Sequence, residues 1–150
     1  MPQLVAVPPP SPETLPVGAA DPAAVRWRIS DGHTIAADIC PFGATLISLW
    51  VRDRGGRVRD VVLGCDSVAG YRHQRAYLGA SIGRFANRIS GGRMSLEGRV
   101  CRLSANEGDT VLHGGSTGFD RATWQLVSHA ATALTLSHVS PDGDQGFPGT

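Results

Sequence analysis

The segment "VRWRISDGHTIAADIC", residues 25–40, decides the fold class. Apolar residues occupy every second position in both of its halves: Val25, Trp27, Ile29, Ile35, Ala37 and Ile39. A period of two places one set of side chains on one face of a β-strand and the other set on the opposite face. Asp31-Gly32 between the halves is a turn signal typical of a hairpin. We therefore predict two antiparallel strands whose apolar residues face the core.

Two further segments downstream predict antiparallel pairs. In "RMSLEGRVCRL", residues 93–103, a turn at Glu97-Gly98 places Met94 opposite Cys101 and Leu96 opposite Arg99. The segments "WQLVSH" and "ALTLSHV", within residues 124–139, alternate in the same way. The pattern predicts no helix of three turns, and nineteen glycines separate the short strands. Together these features indicate an all-β sandwich or barrel.

One short helical turn is predicted between the strands. Asp66 is a residue type that caps helices, and the turn would run through Tyr71. The three cysteines, Cys40, Cys65 and Cys101, show neither a disulfide framework nor metal spacing. We interpret them as small apolar groups in a reducing, cytoplasmic compartment.

The composition excludes several function classes. The 150 residues carry 14 basic and 13 acidic side chains, so neither nucleic acid nor an anionic membrane is expected as a partner. All basic residues are arginine, which excludes Schiff-base chemistry and a P-loop lysine. No apolar run approaches the length of a membrane span.

The first 24 residues differ from the rest of the chain. They hold seven of the ten prolines, and proline lacks an N–H donor and fixes φ. We predict a proline-rich disordered arm at residues 1–24, followed by a β-sandwich domain at residues 25–150.

The segment "GRFANRISGG", residues 83–92, carries the first candidate binding groups. Arg84 and Arg88 flank Asn87, and guanidinium and amide groups together offer the donors and acceptors that sugar hydroxyls need. Structural arginines at a strand end are the alternative interpretation.

His113 is the second candidate, in "TVLHGGSTGFDRATW", residues 110–124. Gly114-Gly115 lets the backbone turn sharply beside the ring, and small neighbours leave room for a ligand. A histidine satisfied by a backbone carbonyl is the alternative. The nearby carboxylates of Glu107, Asp109 and Asp120 lie in turn sequences, and we expect them to be solvated and weakly basic.

Residues 140–149, "SPDGDQGFPG", are acidic and rich in glycine. A calcium-binding loop would need a later glutamate, which is missing here. We interpret the segment as a tight turn, and we expect no metal site.

The order of these motifs resembles the aldose 1-epimerases, also called galactose mutarotases. The resemblance covers about residues 30–150 and is carried by five segments in the family's order: "VVLGCDSVAGY", "LGASIGRFANRISGGRMSLEG", "CRLSANEG", "VLHGGSTGFDRATW" and "SPDGDQGFPG". It implies an antiparallel β-sandwich of the galactose mutarotase-like type, incomplete in this chain. It also implies interconversion of the α and β anomers of free aldoses, with a monosaccharide substrate and no cofactor.

The resemblance assigns roles to three residues. Asn87 and Arg88 match the family's substrate-binding Asn-Arg pair, and His113 matches the substrate-binding histidine of Leu-His-Gly-Gly. No catalytic residue is assigned, because the family's acid histidine and its glutamate base are expected beyond Thr150. Thr110 stands where the family usually has an asparagine.

Two alternatives to the enzyme remain open. A non-catalytic carbohydrate-binding β-module would keep the three binding residues without the acid–base pair. A truncated product would have no independent function. A phosphosugar epimerase of the same superfamily would need further cationic contacts to the phosphate. The sequence does not define the oligomeric state.

Overall fold

The structure, a computed structural model, describes residues 13–14 and 25–150, which fold mainly into short β-strands. One antiparallel sheet contains β1 (Glu13–Thr14), β2 (Val25–Ser30), β3 (Ile35–Cys40), β4 (Thr45–Arg52) and β5 (Val58–Asp60), in that order. Three two-stranded ribbons pair β6 (Arg88–Ile89) with β9 (Val111–Leu112), β7 (Arg93–Leu96) with β8 (Arg99–Arg102), and β10 (Gln125–Ala130) with β11 (Ala133–Ser137). The all-β prediction is confirmed.

Helical structure in the described residues is short. The helix α1 (Val68–His73) has six residues, and single 3₁₀ turns occupy Ser90–Gly92, Phe119–Arg121 and Asp144–Gly146. The cap of α1 is Ser67 rather than the predicted Asp66, because the Ser67 hydroxyl accepts the N–H of Gly70 at 3.2 Å. In the part of the chain that the structure covers, no helix has both the length and the apolar character to cross a membrane.

The predicted arm, residues 1–24, lies outside the described residues except for β1. Glu13 and Thr14 pair with Arg26 and Val25 at the start of β2. The division into an arm and a domain from residue 25 therefore stays a prediction.

The two predicted hairpins of the C-terminal half are confirmed. Met94 pairs with Cys101 and Leu96 pairs with Arg99, as the Glu97-Gly98 turn requires. The strands β10 and β11 pair antiparallel, with a register shift between Leu126 and Ser128.

The face prediction for β2 and β3 is wrong, although the strands themselves are confirmed. The most buried side chains belong to the alternate set: Arg28, Ser30, Ala36, Asp38 and Cys40. Ile35 is instead 44% exposed, and the other members of the predicted core set are half-buried: Val25, Trp27, Ile29, Ala37 and Ile39. The more buried set contains an ion pair: Arg28 Nε and Nη2 donate to the two Asp38 oxygens at 2.5 and 2.6 Å.

The turn between these strands spans four residues, 31–34, so β3 begins two residues after the Asp31-Gly32 signal. The Asp31 carboxylate accepts three backbone N–H groups, from His33, Thr34 and Ile35, at 2.8 to 3.0 Å. These hydrogen bonds hold the pKa of Asp31 far below its usual range. A wider loop is favoured because it directs all three N–H groups at one carboxylate.

Two apolar clusters support the segments that carry the candidate site. The first cluster contains Cys40, Phe42, Ile47, Val68 and Tyr71, with Cys65 and Leu78 against it. The second contains Leu103, Val111 and Phe147, with Ile89, Met94 and Cys101 against it. The three cysteines are free and pack as small apolar groups, as predicted. Since Val111 lies in β9 and Ile89 in β6, the second cluster anchors the ribbon that precedes His113.

Candidate functional site

The short ribbon of β6 and β9 brings the three predicted site residues together. Arg88 pairs with Leu112, so Asn87, directly before β6, lies beside His113, directly after β9. The His113 N–H donates to the Asn87 carbonyl at 3.1 Å, and the Asn87 N–H donates to His113 Nδ1 at 2.9 Å. Residues 26 positions apart in the sequence are thus fixed to each other by two reciprocal hydrogen bonds.

Both residues of this pair have left-handed backbone conformations. Asn87 has φ of 68° and His113 has φ of 55°. Asparagine tolerates this region, whereas histidine adopts it rarely and at some energetic cost. Strain of this kind persists where the surrounding structure enforces it, and it is frequent at binding sites.

The hydrogen bond from Asn87 defines which nitrogen of His113 is available. Nδ1 accepts the Asn87 N–H, so the neutral ring carries its proton on Nε2. The ring packs against Tyr77 in a T-shaped arrangement, with centroids 4.6 Å apart and planes at 69°. Half-buried and held from two sides, His113 presents one fixed N–H donor.

The two glycines after His113 are required by close backbone approaches. Gly114 has φ of 91°, and a Cβ there would collide with the Gly83 carbonyl. Gly115 has φ of 103°, and its Cβ would lie 3.0 Å from the Ser104 carbonyl oxygen. The glycines therefore position the His113 loop against the segment that leads to Asn87, which explains the sequence pattern more directly than room for a ligand does.

Arg88 is exposed and paired with a carboxylate that the sequence did not single out as its partner. Its Nε donates to Glu107 Oε2 at 2.5 Å and its Nη2 donates to Glu107 Oε1 at 2.8 Å. This hydrogen bonding raises the pKa of Arg88 and lowers the pKa of Glu107. The expected low basicity of Glu107 agrees with this direction.

Asn106 is a supporting residue that sequence reasoning missed. Its Oδ1 accepts the Leu112 N–H at 2.7 Å, and its Nδ2 donates to the Leu112 carbonyl at 2.9 Å. The Asn106 side-chain amide thus makes with Leu112 the two hydrogen bonds that the backbone of a neighbouring strand would otherwise make, next to His113. Thr110 closes the same loop through backbone hydrogen bonds with Glu107 in both directions, each 3.0 Å long. An asparagine in a loop before an apolar strand end was the available signal.

A cavity of about 430 Å³ borders this group of residues. Its lining includes Tyr77, Asn106, Glu107, Leu112, Asp120 and Arg121. Its walls are thus rich in hydrogen-bonding groups, and its volume is in the range of small-molecule sites.

Asp120 contradicts the expectation that the nearby carboxylates are solvated. Its Oδ1 is buried and has no hydrogen-bond partner among the described residues. Burial raises the pKa of the Asp120 carboxyl, against opposing effects of Arg121 and His113. Asp109, by contrast, is exposed as expected.

Arg84 takes the structural role that was its alternative interpretation. It donates to Ser140 Oγ at 2.8 Å and to the carbonyls of Ser140, Pro141 and Pro148 at 2.6 to 3.0 Å. The acidic segment after residue 140 is a tight turn, in which Ser140 donates to Asp144 Oδ2 at 2.6 Å. Across the described part of the chain, no three His, Cys, Asp or Glu side chains come together as a metal ion would need.

Comparison with known proteins gives consistent results at the levels of family, sequence and fold. The family model described as "Aldose 1-epimerase" matches residues 25–150. The galactose mutarotase of Bos taurus is 44% identical over 137 residues, which are 90% of this chain and 38% of that protein. The aldose 1-epimerase of Escherichia coli K12 is 46% identical over 108 residues, which are 72% of this chain and 31% of that protein. The chain thus spans about a third of the length of these curated relatives.

Solved structures agree with the fold. The aldose epimerase homologue from C. elegans superposes with a TM-score of 0.76 at 34% identity, over 81% of this chain and 38% of that one. The galactose 1-epimerase of Lactobacillus acidophilus gives the same TM-score at 23% identity, over 93% of this chain and 41% of that one. The all-β fold of the described residues is therefore of the galactose mutarotase-like type.

Proposed function

The chain belongs to the aldose 1-epimerase family, and from this premise we propose that it forms part of an enzyme that interconverts the α and β anomers of free aldoses such as galactose and glucose. The observation that carries the proposal is the reciprocal pair of hydrogen bonds between Asn87 and His113. It gives the His113 ring one orientation and one donor, and Arg88, the first residue of β6, follows Asn87 directly.

Asn87, Arg88 and His113 bind the hydroxyl groups of the monosaccharide in this proposal. The Asn87 amide offers both donors and an acceptor, Arg88 keeps N–H donors on the edge that Glu107 does not occupy, and His113 offers Nε2–H. The adjacent cavity, at about 430 Å³, has room for a sugar ring.

Ring opening also needs a group that removes the anomeric proton and a group that protonates the ring oxygen. The Asn87 amide and the Arg88 guanidinium do not exchange protons near neutral pH. Glu107 is a weak base because Arg88 stabilises its ionised form. By the family resemblance, we propose that the acid and the base are supplied by segments other than these 150 residues. In the experiments below, the complete protein means the product of the full reading frame that contains these 150 residues.

A non-catalytic sugar-binding module is the second candidate. It is favoured by part of the same inventory, because the binding donors are in place while Glu107 is ion-paired and Asp109 is exposed. Asp120 is the exception among these three carboxylates, since it is partly buried and has a raised pKa. The two candidates differ in turnover and agree in sugar binding.

Polarimetry on freshly dissolved α-D-galactose tests the proposal. We expect the complete protein to accelerate the relaxation of optical rotation in proportion to its concentration, and the 150-residue chain to leave the buffer rate unchanged. Sugar binding without acceleration by the complete protein would favour the module. Acceleration by the 150-residue chain would show that this part carries its own acid–base pair.

A further inference from the structure

The Arg88–Glu107 pair has a geometry that selects one edge of the guanidinium. A guanidinium offers five N–H donors in a plane, grouped along edges that each match a pair of oxygens. Glu107 occupies the edge formed by Nε and Nη2, at 2.5 and 2.8 Å. The edge formed by Nη1 and the second Nη2 hydrogen is thereby left facing away from Glu107.

The partner of Arg88 in this pair, Glu107, lies at the candidate site. Glu107 and Tyr77 both line the cavity, Tyr77 packs against the His113 ring, and His113 acts electrostatically on Glu107. Arg88 and Glu107 are 54% and 45% exposed, so solvent and a small ligand both reach the pair.

We propose that Glu107 is a positioning residue for sugar binding: it holds the Arg88 guanidinium in one orientation, so that the open edge meets two neighbouring hydroxyl oxygens of the sugar. The proposal rests on the proposed function, since it assigns a role at the same binding site. Arg88 touches the sugar, and Glu107 acts through Arg88.

The physical reason is preorganisation. A long, exposed arginine side chain that is free in solution loses rotamer entropy when a ligand fixes it. A bidentate carboxylate fixes the side chain beforehand and matches the guanidinium geometry, which a point-like cation would not do. Sugar binding then loses less entropy than it would with a mobile arginine.

The opposite arrangement is competition, in which the sugar has to displace Glu107 from Arg88. Removing the charge of Glu107 would then tighten sugar binding instead of weakening it. The direction of the change in affinity therefore decides between positioning and competition.

The experiment is a D-galactose titration of the complete protein, labelled with ¹⁵N and followed by NMR. We expect the Arg88 Nε–Hε signal to be sharp and protected from exchange in the wild type, and to lose that protection in Glu107→Gln. We expect the dissociation constant for galactose to rise about threefold to tenfold in that variant, the size of the entropy of one immobilised side chain. Glu97→Gln, the same charge change in the exposed β7–β8 turn, is the matched control and should bind as the wild type does.

A double-mutant cycle separates positioning from a direct contact. If Glu107 acts through Arg88, Glu107→Gln causes no further loss in an Arg88→Gln background. Additive losses, or unchanged or tighter binding in Glu107→Gln, would overturn the proposal while leaving sugar binding by Arg88 intact. Wild-type protein that does not bind galactose would overturn the proposed function as well as this inference.

Discussion

Two arginine–carboxylate pairs of this chain have nearly the same bidentate geometry and opposite surroundings. Arg28 and Asp38 join the middle strands β2 and β3, and their side chains are 7% and 0% exposed. Arg88 and Glu107 join β6 to the loop before β9, and they are 54% and 45% exposed. Geometry alone therefore does not tell which pair belongs to the scaffold and which to the site.

The surroundings of each pair do make that distinction. Asp38 also accepts the Trp50 indole N–H at 3.2 Å, and the Arg28 guanidinium lies 5.9 Å from the centre of the Trp50 ring. The buried pair is enclosed by protein groups, which leaves no place for a ligand. The exposed pair has an open guanidinium edge, so it can exchange water for a ligand without unfolding anything.

The largest expected effect comes from breaking the buried pair. Asp38→Ala leaves the Arg28 charge buried without its carboxylate, and such changes destabilise proteins by about 3–5 kcal/mol. The measurement is the urea midpoint of the complete protein. Asp66→Ala, at an exposed aspartate, is the matched control and should leave the midpoint unchanged.

For the exposed pair we expect the reverse outcome in the same denaturation assay. Glu107→Gln should leave the urea midpoint unchanged, because exposed pairs are screened by water and salt. Equal losses of stability in Asp38→Ala and Glu107→Gln would remove the distinction between the scaffold pair and the site pair.

The next effect concerns rate rather than stability. His113→Ala in the complete protein should lose at least about 1.4 kcal/mol of transition-state stabilisation, a tenfold fall in kcat/KM for mutarotation. The reason is loss of the oriented Nε2–H donor. His33→Ala, at an exposed histidine in the β2–β3 turn, is the control. Unchanged mutarotation kinetics in His113→Ala would remove His113 from the site.

The sequence predicted the strands better than their faces, and the buried pair explains why. Periodicity in residues 25–40 locates the strands correctly, but hydrophobicity assigns the core to the set that includes Ile35, which is 44% exposed. Burial of Arg28 and Asp38 depends on each other and on Trp50, which lies on a different strand. No single strand carries that information.

At the candidate site the sequence indicated residue types but not their partners. The glycines beside His113 predicted an unusual backbone, and the structure has one there. The contact between Asn87 and His113 depends on the pairing of β6 with β9, which joins segments more than twenty residues apart. The Glu107 and Asn106 contacts depend on the same pairing and could not be read from local spacing.

A smaller loss of stability is expected when the N-cap of α1 is removed. The capping residue is half-buried, so its exposure lies between those of the two ion pairs. The Ser67 hydroxyl caps α1, and removing such a cap destabilises by about 1 kcal/mol. Ser67→Ala should therefore lower the urea midpoint slightly, whereas Asp66→Ala should not. A larger loss of stability in Asp66→Ala than in Ser67→Ala would show that Asp66 is the cap.

The smallest expected change in stability concerns a third carboxylate, Asp120, which can be compared with Asp38 of the buried pair. Asp38 is buried with partners, whereas Asp120 Oδ1 is buried without one among the described residues. Burial raises the pKa of Asp120 in the folded chain above its unfolded value of about 3.9. The folded state therefore holds the Asp120 proton more tightly than the unfolded state does. The stability that this proton contributes is complete below the unfolded pKa, and it is lost as the pH rises through the folded pKa.

At pH 7 the ionised Asp120 thus opposes folding, and a neutral group of the same shape should not. We expect Asp120→Asn to be slightly more stable than the wild type at pH 7, because the neutral amide avoids the cost of burying the charged carboxylate. The advantage should disappear near pH 3.5, where the wild-type carboxyl is itself protonated. Urea midpoints of both proteins at the two pH values are the measurement. A loss of stability in Asp120→Asn at pH 7 alone would mean that the carboxylate form makes a favourable interaction, with Arg121 as its cationic neighbour.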